Sequence, residues 1–213
     1  MADLICRKVA DLRPFLEPDS SEWTTVPPFP VEMVPAPLGL QPTAYVIVSW
    51  TDRPYGELEG LTLAAVHDGA RIAVRLSWPD ATEDLGKGEA FPDGAAITFP
   101  VSGDPILVQM GSPDAPIHAL QWKARADEVR PVLMTGIGSS RPGPAVEQAA
   151  KGRYADGRWQ LVLSRTLAAP EGGAVLKAGS PARIGIAVWN GSNQERAGIK
   201  AASVDWIDFQ LEA

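Results

Sequence analysis

Short runs in which apolar and polar residues alternate, each closed by glycine, proline or an Asp-Gly pair, dominate the chain. The clearest pair is Leu61-Thr62-Leu63-Ala64-Ala65-Val66 and Arg71-Ile72-Ala73-Val74-Arg75-Leu76-Ser77-Trp78, joined by His67-Asp68-Gly69-Ala70. Asp-Gly supplies the positive φ angles of a tight hairpin turn. Alternation puts Ile72, Val74 and Leu76 on one face of the second arm and Arg71, Ala73, Arg75 and Ser77 on the other, so one face is core and the other at least partly wet. The device recurs at Ala155-Asp156-Gly157-Arg158, ahead of an apolar run from Trp159 to Arg165. Further strands are expected over 44–50, 95–99, 183–189 and 204–211.

Between residues 11 and 42, eight prolines remove so many backbone donors that regular strands are interrupted. Residues 1–42 read as an extended N-terminal segment wrapped on the domain or laid on a partner. The stretches 79–94, 102–119 and 136–153 are turn-rich and are where such a scaffold carries its site. Seven or more short strands with this punctuation predict an all-β fold: an antiparallel β-sandwich with long loops and few short helices, one domain over residues 1–213.

Composition narrows the chemistry. The chain has 213 residues, enough to bury a core without staples, and a formal net charge of -7, which with its scattered Lys and Arg argues against a nucleic-acid partner. One cysteine, Cys6, excludes an internal disulfide, an iron-sulfur cluster and a Cys-x-x-Cys-His attachment, so any haem would be held without covalent links. The first eight residues lack the apolar core of a secretory signal, and no run is long enough to span a membrane. Taken alone, this points to the cytoplasm.

Two histidines, His67 in a hairpin turn and His118 read as a loop residue, give no hydrolase triad and no His/Cys metal cluster. Carboxylates from Asp80 to Asp84 could serve calcium, though without an EF-hand pattern. Seven tryptophans suit core packing or a sugar-stacking platform. Met110 follows the apolar run Pro105 to Gln109, read as a buried strand, and Gly111 lets the backbone turn away after it. A thioether so placed either fills a gap in the core or ligates haem iron. Lys200 follows a polar glycine-containing loop; its amine binds iron only from a dry pocket that depresses its pKa, and a solvated cation is its ordinary reading.

The runs Val66 to Trp78, Phe91 to Pro100, Met110-Gly111, Gln121 to Ala124 and Ala187 to Lys200 resemble the haem-binding gamma subunit of ethylbenzene dehydrogenase and its relatives in dimethylsulfide dehydrogenase, steroid C25 dehydrogenase, and selenate and chlorate reductases. The resemblance implies a β-sandwich that carries one haem b between a methionine and a lysine, catalyses nothing itself, and joins a molybdopterin alpha subunit and an iron-sulfur beta subunit in a heterotrimer. By resemblance Met110 and Lys200 are the axial ligands of the haem iron; Lys177 is the rival lysine and His118 a rival for either position. The subunit would relay electrons between the iron-sulfur subunit and an external acceptor such as a cytochrome. The absence of a signal sequence favours the ethylbenzene or steroid dehydrogenase branch, in which the complex is exported folded on its catalytic partner's signal to the periplasm. Two other readings are a carbohydrate-binding β-sandwich module and a haem-free structural subunit.

Overall fold

The computed structural model describes residues 4–88 and 90–213; Met1 to Asp3, part of the N-terminal reading, and Glu89, in the stretch 79–94, lie outside the described residues. Thirteen strands are described: β1 (Leu4–Lys8), β2 (Phe29–Pro35), β3 (Gly60–His67), β4 (Arg71–Pro79), β5 (Gly94–Pro100), β6 (Ile117–Lys123), β7 (Glu128–Met134), β8 (Arg141–Pro142), β9 (Ala149–Ala155), β10 (Arg158–Thr166), β11 (Pro181–Trp189), β12 (Ala201–Ser203) and β13 (Ile207–Leu211). They form two facing layers, β3-β4-β10-β9 and β12-β11-β5-β6-β7-β8, linked through β2. Pairing is antiparallel except for β1, which runs parallel to β3 and β13.

Inward residues of both layers make one core. Leu63, Val74, Leu76 and Leu161 meet Ile97, Phe99, Leu120 and Ile186, all at most 2% exposed. Trp122 meets Trp159 edge to face at 5.1 Å between ring centroids, and Trp78 stacks on Trp159 at 6.4 Å. At about 25 cal/mol per Å² of apolar surface, such burial is the main force holding the layers together.

The hairpin over β3 and β4 forms as expected, with Gly69 at φ +91 and the Asp68 carboxylate accepting from the amides of Ala70 and Arg71. Asp156 and Gly157 both take positive φ, the paired signature of the β9–β10 turn. The second face of β4 is partly wet at Arg71 and Arg75 and otherwise covered: Ala64, Val66, Ala73 and Val162 lie beneath Leu12, Phe15, Trp23 and Val26 of the N-terminal segment. Arg75 donates through Nε to Pro18 O at 2.8 Å.

Several expectations are corrected. Residues 44–50 are a helix, α1 (Ala44–Trp50), not a strand. The Thr43 hydroxyl caps it by accepting from Val46 N, and turning Val46, Ile47 and Trp50 to one side satisfies a helical period that strand propensity does not override. The proline-rich segment contains a true strand, β2. Its first half pairs with β3 and its second with β12, so its prolines interrupt no continuous ladder. Residues 204–206 fall outside β13, β9 occupies the end of the 136–153 stretch, and His118 lies inside β6.

Candidate functional site: a cavity on the outward face of one layer

On the layer opposite to the one wrapped by the N-terminal segment, the outward positions are small. Gly94, Ala96 and Thr98 of β5, Ala119 of β6, Ala187 of β11 and Ala202 of β12 share that face by register and floor a cavity of about 1160 Å³. This slightly exceeds the roughly 300–1,000 Å³ of most ligand sites. Helix α1, the turn around Leu40 and loop residues 194–199 stand around it. Thr98 Oγ1 is buried on this floor without a partner, and Trp189 closes one end, donating through Nε1 to Ala197 O at 3.0 Å.

Met110 lines this cavity, though no strand delivers it. A 3-10 turn over Leu107–Gln109 ends on Met110 in the left-handed conformation, φ 59 and ψ 36, a placement that costs a branchless side chain about 1 kcal/mol. The strain is held by hydrogen bonds from Met110 N to Leu107 O (2.9 Å) and from Gly136 N to Met110 O (3.0 Å). Gly111 follows at φ +77, and a Cβ there would sit 2.7 Å from Ala115 O, so glycine is required. The loop is pinned from behind by Trp206, whose Nε1 donates to Pro105 O at 2.7 Å. The Met110 side chain packs with Ile117, Ala119 and Met134.

Lys200 lines the same cavity, immediately before β12. Its Nζ lies 5.4 Å from the centre of the Trp189 ring, and desolvation lowers its pKa from 10.5 to about 8. Among the described ion pairs none involves it. The backbone around it is fixed by Ala36 N donating to Lys200 O at 2.9 Å. Two buried carboxylates hold the preceding loop. Glu195 accepts from Gly56 N, Asn190 N and Asn193 Nδ2, and Asp93 accepts from Gly191 N, Asp84 N and Trp159 Nε1. These anchors, like the small floor, were not singled out as functional from sequence; alanine in a strand signals nothing until the register aligns it with others.

The rivals are elsewhere. Lys177 is exposed in the β10–β11 connection and does not line the cavity. His118 faces inward from β6, 1% exposed, its Nδ1 accepting from Ala174 N at 3.3 Å; burial, then the positive Arg165, lowers its pKa to about 4. Six of the seven tryptophans are buried and Trp206 is half-buried, so core packing is their main use. Among the described residues no cluster of three or more His, Cys, Asp or Glu forms a metal site, the Asp80 to Asp84 stretch included, and no helix is long and apolar enough to cross a membrane.

The donors present suit a flat macrocycle with a central metal: a thioether, an amine whose pKa desolvation lowers, and a floor of small residues that leaves room for a disc. The ethylbenzene dehydrogenase family model matches residues 20–142 and 137–201. The chain is 37% identical to the chlorate reductase subunit gamma of Ideonella dechloratans over 71% of its own length and 64% of the relative's. It is 34% identical to a Haloferax mediterranei chain provisionally named respiratory nitrate reductase haem subunit ORF7, over 91% and 67% of the two chains. Identity to the dimethylsulfide dehydrogenase subunit gamma of Rhodovulum sulfidophilum is 31%, over 90% and 73%. The chain thus spans about two thirds of the length of these relatives. Among solved structures, a family 9 carbohydrate-binding module from Caldicellulosiruptor kristjanssonii in complex with glucose shares the fold, with a TM-score of 0.57 at 8% identity, over 99% of this chain and 95% of that one.

Proposed function

Because the chain belongs to the ethylbenzene dehydrogenase family, we propose that it is the haem b subunit of a molybdenum oxidoreductase, passing electrons between an iron-sulfur subunit and an external acceptor such as a cytochrome. The observation that carries this is that Met110 and Lys200, ninety residues apart in sequence, line one cavity with a floor of small side chains. Met110 would offer its thioether and Lys200 its unprotonated amine to the iron. Bound there, haem supplies reversible one-electron chemistry, and a thioether ligand raises its potential by favouring the ferrous state.

The remaining work of the chain is positional. The strained turn at Met110 fixes the backbone from which the sulfur projects, Trp189 stands beside Lys200 on a loop held by Glu195 and Asp93, and desolvation lowers the cost of removing the Lys200 proton. No residue is assigned bond-making chemistry; catalysis belongs to a molybdopterin alpha subunit, with an iron-sulfur beta subunit completing a heterotrimer. The names of the chlorate reductase and dimethylsulfide dehydrogenase relatives as gamma subunits support that assembly. We place the complex in the periplasm and in the ethylbenzene or steroid dehydrogenase branch, both inferred from the resemblance; fractionation of the native host and the genes beside this one test them.

Titration of the purified chain with haem tests the central reading. One equivalent should bind and give a reduced-minus-oxidised spectrum of a six-coordinate haem; Met110→Ala and Lys200→Ala should each convert it to a five-coordinate spectrum. A chain that takes up no haem, or two variants with unaltered spectra, would end this reading.

A further inference from the structure

Although the chain carries a net charge of -7, its cavity is basic: apart from the Lys200 amine, Arg53, Lys123, Arg130, Arg141 and Arg196 line it against one described acid, Glu195. Glu195 is already saturated by three donors. The described ion pairs, Asp11–Arg13, Glu147–Arg71, Glu17–Lys151, Asp19–Arg153 and Asp104–Arg183, all use cations outside the cavity. Cations left unpaired around a mostly apolar pocket have a use if the occupant brings negative charge.

The register says where that charge would sit. Trp189 pairs with Gly94 and Gly94 with Lys123, while Ala187 pairs with Ala96, Ala96 with Gln121 and Gln121 with Arg130. Lys123 and Arg130 are therefore diagonal neighbours on β6 and β7, about 7–8 Å apart at the backbone and within reach of each other's long side chains. Lys200 enters level with Trp189, at the β12 side of the floor, since Ala201 pairs with Val188. Met110 packs on Ile117, Ala119 and Met134, at the far end of β6 and β7. The two donors thus occupy opposite corners, and a disc held between them has its rim at the remaining two. One of these carries Val34, Ala202 and Val204; the other carries Gln121, Lys123 and Arg130.

Resting on the haem reading above, we propose that Lys123 and Arg130 are positioning residues that receive the two carboxylates of the tetrapyrrole, with its apolar rim turned to the Val34–Val204 corner. Glu128, directly across from Lys123, forms no ion pair with it, so the ammonium is available. The pair fixes which way round the macrocycle enters.

The test compares haem with haem dimethyl ester, which lacks the negative charges. In absorbance titrations of the full chain, Lys123→Gln and Arg130→Gln should each weaken haem binding about tenfold, the loss expected for one charge-assisted hydrogen bond. Neither should change affinity for the dimethyl ester, and Lys123→Arg should restore haem binding. Equal losses for both ligands, or unchanged haem affinity in the double variant, would overturn the assignment while leaving the haem reading standing. If the native chain binds neither ligand, the haem reading falls and this inference with it. Thermal melts of each variant confirm that the fold is intact.

Discussion

The two outward faces of the sandwich are built alike and finished differently. Both present small residues: Ala64, Val66 and Ala73 on one, Ala96, Ala119 and Ala187 on the other. On the first, the chain provides its own cover, with Trp23 meeting Phe15 edge to face at 5.1 Å directly above the alanines. On the second, α1 and the loops stand off and leave a cavity. A patch of small residues leaves room for another group. In one case the sequence supplies the aromatic rings that fill it, and in the other, on the haem reading, the occupant arrives from outside.

The contrast breaks most visibly at the covered face. Trp23→Ala, at a position 4% exposed, should lower stability by about 3–5 kcal/mol in denaturant titrations, yet leave haem affinity of the remaining folded protein unchanged. A parallel loss of haem affinity would show that the two faces are not independent.

A second test uses the two sides of a single strand. Ala119 looks into the cavity, whereas His118 looks into the core with a pKa near 4, against 6.5 for an ordinary histidine. Between those values the unfolded chain holds a proton that the folded chain refuses, so stability falls as pH drops from 6.5 to 4, by about 3 kcal/mol in total. Asp80 acts in the opposite direction. Burial, then neighbouring Asp93, raises its pKa to about 6, so it contributes stability as pH falls through 6 toward 3.8. Urea melts across this range in an Asp80→Asn background should show the His118 slope, and His118→Gln should flatten it.

Filling the open face should be moderate for folding and severe for ligand. Ala96→Leu places a branched side chain on the cavity floor against Ala187 and Trp189; it should cost about 1–3 kcal/mol of stability in denaturant titrations, while haem affinity of the folded protein drops at least tenfold. The weakest effect is expected at the edge of the wrap, where Glu17 pairs with Lys151 across half-exposed surface. Glu17→Gln should cost about 0.2–1 kcal/mol, vanishing in high salt.

Much of the frame was legible in sequence because hairpins announce themselves: Asp68-Gly69 and Asp156-Gly157 lie between alternating runs, and the turns follow from backbone geometry. Residues 44–50 look like a strand in sequence because Tyr45, Val46, Ile47 and Val48 carry strand propensity, and only a tertiary setting with the Thr43 cap selects the helix. β6 does not stand out in the sequence because both of its faces are occupied, one by core and one by cavity, which blurs alternation, and β7 because Pro131 interrupts its run. Lys200 was found through family resemblance. Its surroundings depend on Trp189 and on a loop whose anchors, Asp93 and Glu195, are far from one another in sequence, and no local pattern encodes that.

β2 belongs to both layers, and its second half hydrogen-bonds to the strand that begins one residue after Lys200. Prying the layers apart therefore means tearing that shared ribbon first, so its amides and those flanking Lys200 should exchange with deuterium in one cooperative event, slowed together when a ligand occupies the pocket. Occupancy would then be read as protection far down β2, where no ligand atom reaches.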